Sequence, residues 1–207
     1  SLNAHLDQII TDQVYLCSDI LLLNETWSTS LQQFELPDNL FSQVARVNVE
    51  GDRPRPYGSI CYLSHRLLSR IGMYTTIERL YRDENGSVSV AGLTNAAISI
   101  FSCYVSPRCD IDMALLEIDD CLSGSPSRII LAGDFNINFN EESPKKTKLY
   151  DLLQTYGLTS AMPSSMTSTT NNGTYIDNVF TNFPVDESGR YISHTSYHDP
   201  LYATFML

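Results

Sequence analysis

Basic residues are scarce in this chain. Of its 207 residues, 13 are Lys or Arg against 24 Asp or Glu, giving a net charge of −11. That deficit excludes a protein that holds nucleic acid by bulk positive charge, but not one that meets phosphates through a metal ion and a local basic rim. No apolar run approaches the length of a membrane helix, so no membrane partner is expected. The opening residues, SLNAHLDQII, have neither the basic nor the apolar region of a signal peptide, and no Met begins them. Five cysteines, at 17, 61, 103, 109 and 121, include no C-x-x-C pair and are odd in number. Buried thiols in a reducing, intracellular setting fit that pattern better than a disulfide framework. The N-x-S/T sequons starting at Asn24, Asn85 and Asn172 then read as chance. Repeats are absent, and no low-complexity tract stands out beyond one Ser/Thr/Asn loop. What remains, 43% hydrophobic and 18% charged, is the composition of one large globular domain with a sizeable core.

The stretch Arg128–Asn138, RIILAGDFNIN, organises the rest. Ile129–Ala132 is a short apolar run with β-branched residues at its start, the pattern of a strand buried on both faces. Gly133 ends it, and Asp134 and Asn136 follow with Phe135 between them. Residues two apart on an extended backbone point the same way, so a carboxylate and a carboxamide leave the strand end together. Polar groups at the carboxyl end of a buried strand are where a layered α/β protein keeps its site. The plainer alternative is a strand followed by an Asx-turn.

Around it, apolar spacing predicts an amphipathic helix over 2–16 and a strand over 19–24 that runs out at Asn24, Glu25, Thr26 and Trp27. Strands are expected over 41–49, 59–63, 73–80, 87–93 and 96–105, with Asn85-Gly86 as a hairpin turn. The segment EGDRPRPYG between the first and second of these strands is a loop. Its Arg53 and Arg55, with Arg46 just before, read either as solvated loop cations or as a phosphate-contacting rim. A helix over 110–122 starts at Asp110 as N-cap. A second opens with Ser143-Pro144 and stops at Gly157. Residues 163–173, PSSMTSTTNNG, read as a surface loop. Strands over 174–180, 190–193 and 201–207 close the chain.

Asp177 lies among Tyr175, Ile176, Val179 and Phe180. A carboxylate in an apolar strand is costly to bury unless paired, so Asp177 points to a site. His198, in Ser196-Tyr197-His198-Asp199-Pro200, stands at another strand boundary and is the natural partner.

Taken in order, LLLNETW, the strand ending CYVSP, LAGDFN, YIDNVF and SYHDPL resemble the endonuclease/exonuclease/phosphatase superfamily. The nearest resemblance is to the apurinic-endonuclease-like domains of mobile elements, both non-LTR retrotransposons and helicase-linked elements. The similarity runs over essentially the whole chain, and its motifs are specific in combination. It implies a four-layer α/β sandwich of two mixed β-sheets with flanking helices. It further implies that Glu25 is a ligand for Mg²⁺ (or Mn²⁺), a cation that prefers carboxylate and water. By the same resemblance Asp134 orients or deprotonates the attacking water, and Asn136 donates to a phosphate oxygen. His198 stabilises the pentacovalent phosphate or acts as a proton donor or acceptor, Asp177 holds its tautomer, and Tyr104 takes the place of a phosphate-binding tyrosine. Two departures stand out. The family has Ser-Asp-His where this chain has Ser196-Tyr197-His198, and Asp199 lies on the other side of the histidine. The family also begins with a core strand whose asparagine helps bind the metal, and this chain starts after it. Residues 1–207 are therefore expected to form a single domain shortened at its N-terminus.

The leading expectation is a Mg²⁺-dependent, DNA-nicking endonuclease domain of a mobile element. It would be monomeric, would act in the nucleus, and would belong to a polypeptide that also carries a reverse transcriptase or helicase. Arg53 and Arg55 would contact substrate. The alternatives are a phosphatase or phosphodiesterase for a small phosphorylated substrate, or a catalytically dead relic.

Overall fold

Most strands form where the apolar runs lie. A computed structural model describes residues 9–27, 36–37, 40–48, 57–125, 128–192 and 196–206. Strand β1 (Ile20–Asn24) follows a short helix α1 (Gln13–Cys17) that is capped by the Asp12 carboxylate. The first half of the expected helix over 2–16 lies outside the described residues. Strands β2 (Phe41–Val47) and β3 (Ser59–Ser64) complete an antiparallel sheet of order β1-β3-β2. Helix α2 (His65–Ile71) comes next, where sequence reading places no helix. Its start is fixed by the Ser64 hydroxyl, which accepts from Leu67 N–H at 3.1 Å.

Strands β4 (Thr75–Arg82), β5 (Ser87–Thr94) and β6 (Ile98–Val105) run antiparallel in turn. Helix α3 (Ile111–Leu122) then carries the chain over to β7 (Arg128–Asp134), which pairs parallel to β6. After helix α4 (Pro144–Thr155) and the short β8 (Thr159–Ser160), β9 (Asp177–Thr181) inserts antiparallel beside β7. The order is β4-β5-β6-β7-β9-β8, a six-stranded mixed sheet. Strands β10 (Glu187–Arg190) and β11 (Leu201–Thr204) form a separate two-stranded ribbon.

The two larger sheets pack face to face. Ser59 Oγ and Ser89 Oγ hydrogen-bond across the gap at 2.8 Å, and Ser102 Oγ reaches Asn24 Oδ1 at 2.9 Å. On the outer side of the large sheet α3 buries Ala114, Ile118, Cys121 and Leu122, and α4 buries Leu149 and Leu153. On the outer side of the small sheet, Tyr15 and Leu16 of α1 pack against Leu21, Phe41, Ile60 and Tyr62. This is the expected α/β sandwich, with one refinement: the smaller sheet is antiparallel in every described pairing, and only the larger is mixed. All five cysteines are free thiols; Cys17 is exposed and the other four are buried.

Candidate functional site

The register of the large sheet builds the site. Ser89 pairs with Tyr104, Tyr104 with Asp134, and Asp134 with Asp177, so residues from four strands lie on one line across the sheet. Directly paired residues share a face, and Tyr104, Asp134 and Asp177 therefore present their functional groups side by side. Phe135 points the opposite way into the core, its ring 5.3 Å from that of Phe180. That anchor turns Asp134 and Asn136 outward together.

The Asx-turn is present as well. Asn136 N–H donates to Asp134 Oδ1 at 2.8 Å, and Asn136 is left-handed, with φ +50°. Its carboxamide donates both hydrogens, one to Val105 O at 2.8 Å and one to Asp134 Oδ2 at 3.1 Å. Both acceptors are oxygens, which fixes the amide orientation. The resemblance gives Asn136 a phosphate oxygen to donate to; the geometry uses its donors to clamp Asp134.

From the other sheet, the end of β1 delivers Glu25. Gly133 lets it come close: a Cβ there would lie 3.0 Å from Asn24 Nδ2 and 1.7 Å from Cys103 O. Glu25 (φ +48°) and Trp27 (φ +56°) are left-handed non-glycine residues. Such conformations cost about 1–3 kcal/mol each and concentrate at functional sites. Tyr104, buried, donates its hydroxyl to Glu25 Oε1 at 2.8 Å. Burial first, and then the Glu25 carboxylate, push the Tyr104 phenol well above its ordinary value, so it stays protonated. Its one proton goes to Glu25 rather than to a phosphate.

On the far side of Asp134, Asp177 Oδ2 lies 2.9 Å from His198 Nδ1, a pair in which Nε2 takes no part. Burial works against the imidazolium. The bond and charge of Asp177, with Asp134 and Glu25 behind it, overcome that and raise His198 to about 9. Asp134 is 3% exposed. Burial and the neighbouring Asp177 lift its carboxyl well above the usual carboxylate range, partly offset by His198. Ligand atoms of Asp134, Asp177 and His198 lie within 4.8 Å of one another, and the charge of Glu25 acts on both Asp134 and His198. Two clustered carboxylates and an imidazole, with the Glu25 carboxylate acting on them, are a donor set that suits a divalent cation such as Mg²⁺.

One support was invisible to sequence reading. The 163–173 segment is more than a surface loop, because Thr169 and Thr170 are 0% and 4% exposed. The Thr169 hydroxyl accepts from Ile176 and Asp177 N–H at 3.1 and 3.2 Å, bracing the start of β9. Thr170 forms a β-bridge with His198, Asn171 N–H donates to Tyr197 O, and Asp199 N–H donates to Thr169 O. The only trace of this in the sequence is that buried threonines interrupt an otherwise turn-forming stretch. Asn24 was also unassigned, although it sits in the L-N-E-T motif; its carbonyl accepts from Ser102.

Glu25, Tyr104, Asp134, Asn136, Asp177 and His198 thus converge at one end of the sandwich. Arg53 and Arg55 lie outside the described residues. Asp199 does not stand in for the carboxylate absent at Tyr197, because its Oδ2 pairs with Arg190 Nη1 at 3.2 Å. Tyr197 itself is 45% exposed, its ring edge-on to His198.

Fold and site together define a domain of the endonuclease/exonuclease/phosphatase superfamily. More narrowly, the chain belongs to the endonuclease-reverse transcriptase family, whose profile matches residues 98–202. Among solved structures it is similar to the endonuclease domain of TRAS1, a telomere-specific non-LTR retrotransposon. The TM-score is 0.67 at 15% identity, over 99% of this chain and 93% of that one. An endonuclease/exonuclease/phosphatase family protein from Leptotrichia buccalis gives 0.62 at 15% identity, over 99% and 92%. Truncated TDP2 from Caenorhabditis elegans gives 0.52 at 12%, over 97% and 89%. Identities this low carry the fold alone. No curated protein sequence matches.

Proposed function

We propose that this chain hydrolyses phosphodiesters with Mg²⁺ and nicks DNA, as the endonuclease domain of a mobile element whose polypeptide also carries a reverse transcriptase. The carrying observation is the convergence of Glu25, Asp134, Asp177 and His198 at one sheet end. Glu25, with the neighbouring carboxylates, would hold the Mg²⁺, which when bound polarises the scissile phosphate and offsets charge on the leaving oxygen. Asp134 accepts the proton of the attacking water, since burial and Asp177 raise its affinity for one. As the new P–O bond forms, the bond to the leaving oxygen breaks and negative charge grows on the phosphate. His198, charged through Asp177, offers Nε2–H to that charge. Asn136 holds Asp134 in line, and Tyr104 holds Glu25.

The family description and the TRAS1 likeness favour DNA over a small phosphorylated substrate. A decayed relic would have no reason to keep the Glu25–Tyr104, Asn136–Asp134 and Asp177–His198 pairs intact. Nicking of supercoiled plasmid should require added Mg²⁺ and stop with EDTA. Asp134→Ala or His198→Ala should each lower the rate by about 10²–10⁴-fold, the usual contribution of a general acid–base group. Near-wild-type nicking by either variant would remove that residue from the mechanism.

A further inference from the structure

The reaction outlined above leaves Tyr197 without a task. It stands where the superfamily pattern has an aspartate, immediately before the catalytic imidazole. Among the described tyrosines, only Tyr74 and Tyr197 are exposed. Tyr197 is not a loosely solvated ring. Asn171 N–H holds its carbonyl at 3.1 Å, His198 N–H donates to Ser196 Oγ at 3.2 Å, and Asp199 is tied down by Thr169 O and by Arg190. The ring itself rests against His198, with centroids 5.4 Å apart and planes at 72°. An aromatic surface is thus fixed one ring's breadth from the group that meets the phosphate, while nearly half of it faces solvent.

Resting on the phosphodiesterase reading, we infer that Tyr197 is the stacking platform for the nucleoside next to the scissile phosphate. A phosphate within reach of His198 Nε2 carries its own sugar and base, and a ring 5.4 Å from that imidazole is within a nucleoside's length of it. Every base has a π-face, so such a platform takes any nucleotide and adds affinity without reading sequence. A ring that rests against His198 on a hydrogen-bonded backbone loses less freedom on binding than a loosely held one. A neutral side chain at this position also removes one carboxylate that would repel an approaching diester.

The test compares two oligonucleotides of one sequence. One is intact; the other carries a base-free tetrahydrofuran unit next to the mapped cleavage position. Tyr197→Ala should raise KM on the intact strand about tenfold, in keeping with one base–aromatic stack, and change kcat much less. The same variant should leave KM on the base-free strand unaltered. Tyr197→Phe should restore the lost affinity, since the ring and not the hydroxyl is at issue. An equal loss on both strands would mean that the ring acts on His198 alone, and no loss on either would mean that it does nothing; each overturns the inference. A second arm needs no turnover: an oligonucleotide series with 2-aminopurine moved along the strand is titrated with protein. Fluorescence should quench at one position with the wild type and not with Tyr197→Ala. If no diester is cleaved, the catalytic reading fails by itself, and this quenching still decides the platform: identical traces for the two proteins overturn it.

Discussion

His198 keeps its charge to higher pH than an ordinary histidine because a carboxylate sits 2.9 Å from its Nδ1. With a folded value of about 9 against about 6.5 in an unfolded chain, the pair stabilises the fold fully below pH ~6.5. That contribution is lost as pH rises through about 9, the direction for any group whose folded value is raised. In EDTA-treated protein, NMR of the imidazole should therefore titrate near 9. Asp177→Asn should lower the midpoint, because burial is then opposed only by the charges of Asp134 and Glu25. A midpoint left at 9 in the variant would show that Asp177 is not the cause. Residue-scale chemistry of this kind was largely legible in the sequence. Asp134 stood out as a carboxylate at the end of a buried strand, and Asp177 and His198 because a carboxylate in an apolar strand needs a partner. The hydrogen-bond partners of Asn136 and Tyr104 were not legible, because where a donor points depends on neighbours such as Val105 O and Glu25, which are distant in sequence.

At the scale of elements, Gly133 governs how closely β7 can be approached. A methyl group there would sit 1.7 Å from the carbonyl oxygen of Cys103, on the paired strand β6. Gly133→Ala must therefore push β6 and β7 apart. A loss of at least the ~1–3 kcal/mol typical of overpacking is expected, seen as a lower urea midpoint, together with weaker nicking. An unchanged midpoint would show that the strands yield without cost. Most strands were foreseeable from apolar periodicity, and the misses have local causes. The strand expected over 174–180 begins only at Asp177, because the carbonyls of Tyr175 and Ile176 instead accept from Phe139 and Phe135 N–H. Helix α2 was hidden because HRLLSRI is short and continues an apolar run, so that only the Ser64 cap marks its start. The strand expected over 190–193 lies at 187–190, in Glu-Ser-Gly-Arg, where no apolar pattern exists and pairing with β11 sets the register.

Over the whole molecule, acidic residues outnumber basic ones by 24 to 13, so affinity for a polyanion must come from a few places. If Arg53 and Arg55 meet phosphates, replacing both with Ala should weaken DNA binding. It should also flatten the plot of log affinity against log salt by roughly 0.9 per lost contact. An unchanged slope would leave both as solvated loop cations. The layered architecture was readable from the order of apolar runs, whereas the line joining Tyr104, Asp134 and Asp177 was not, because strand neighbours and register are decided by tertiary pairing. That line has a consequence for how the chain can vary. Inserting one residue inside β6, β7 or β9 would turn that strand's reactive side chain to the opposite face while its neighbours kept theirs. Lengthening a loop would leave all of them in place. What descendants of this sequence must conserve is thus a count of residues along three strands, more than any particular apolar side chain within them.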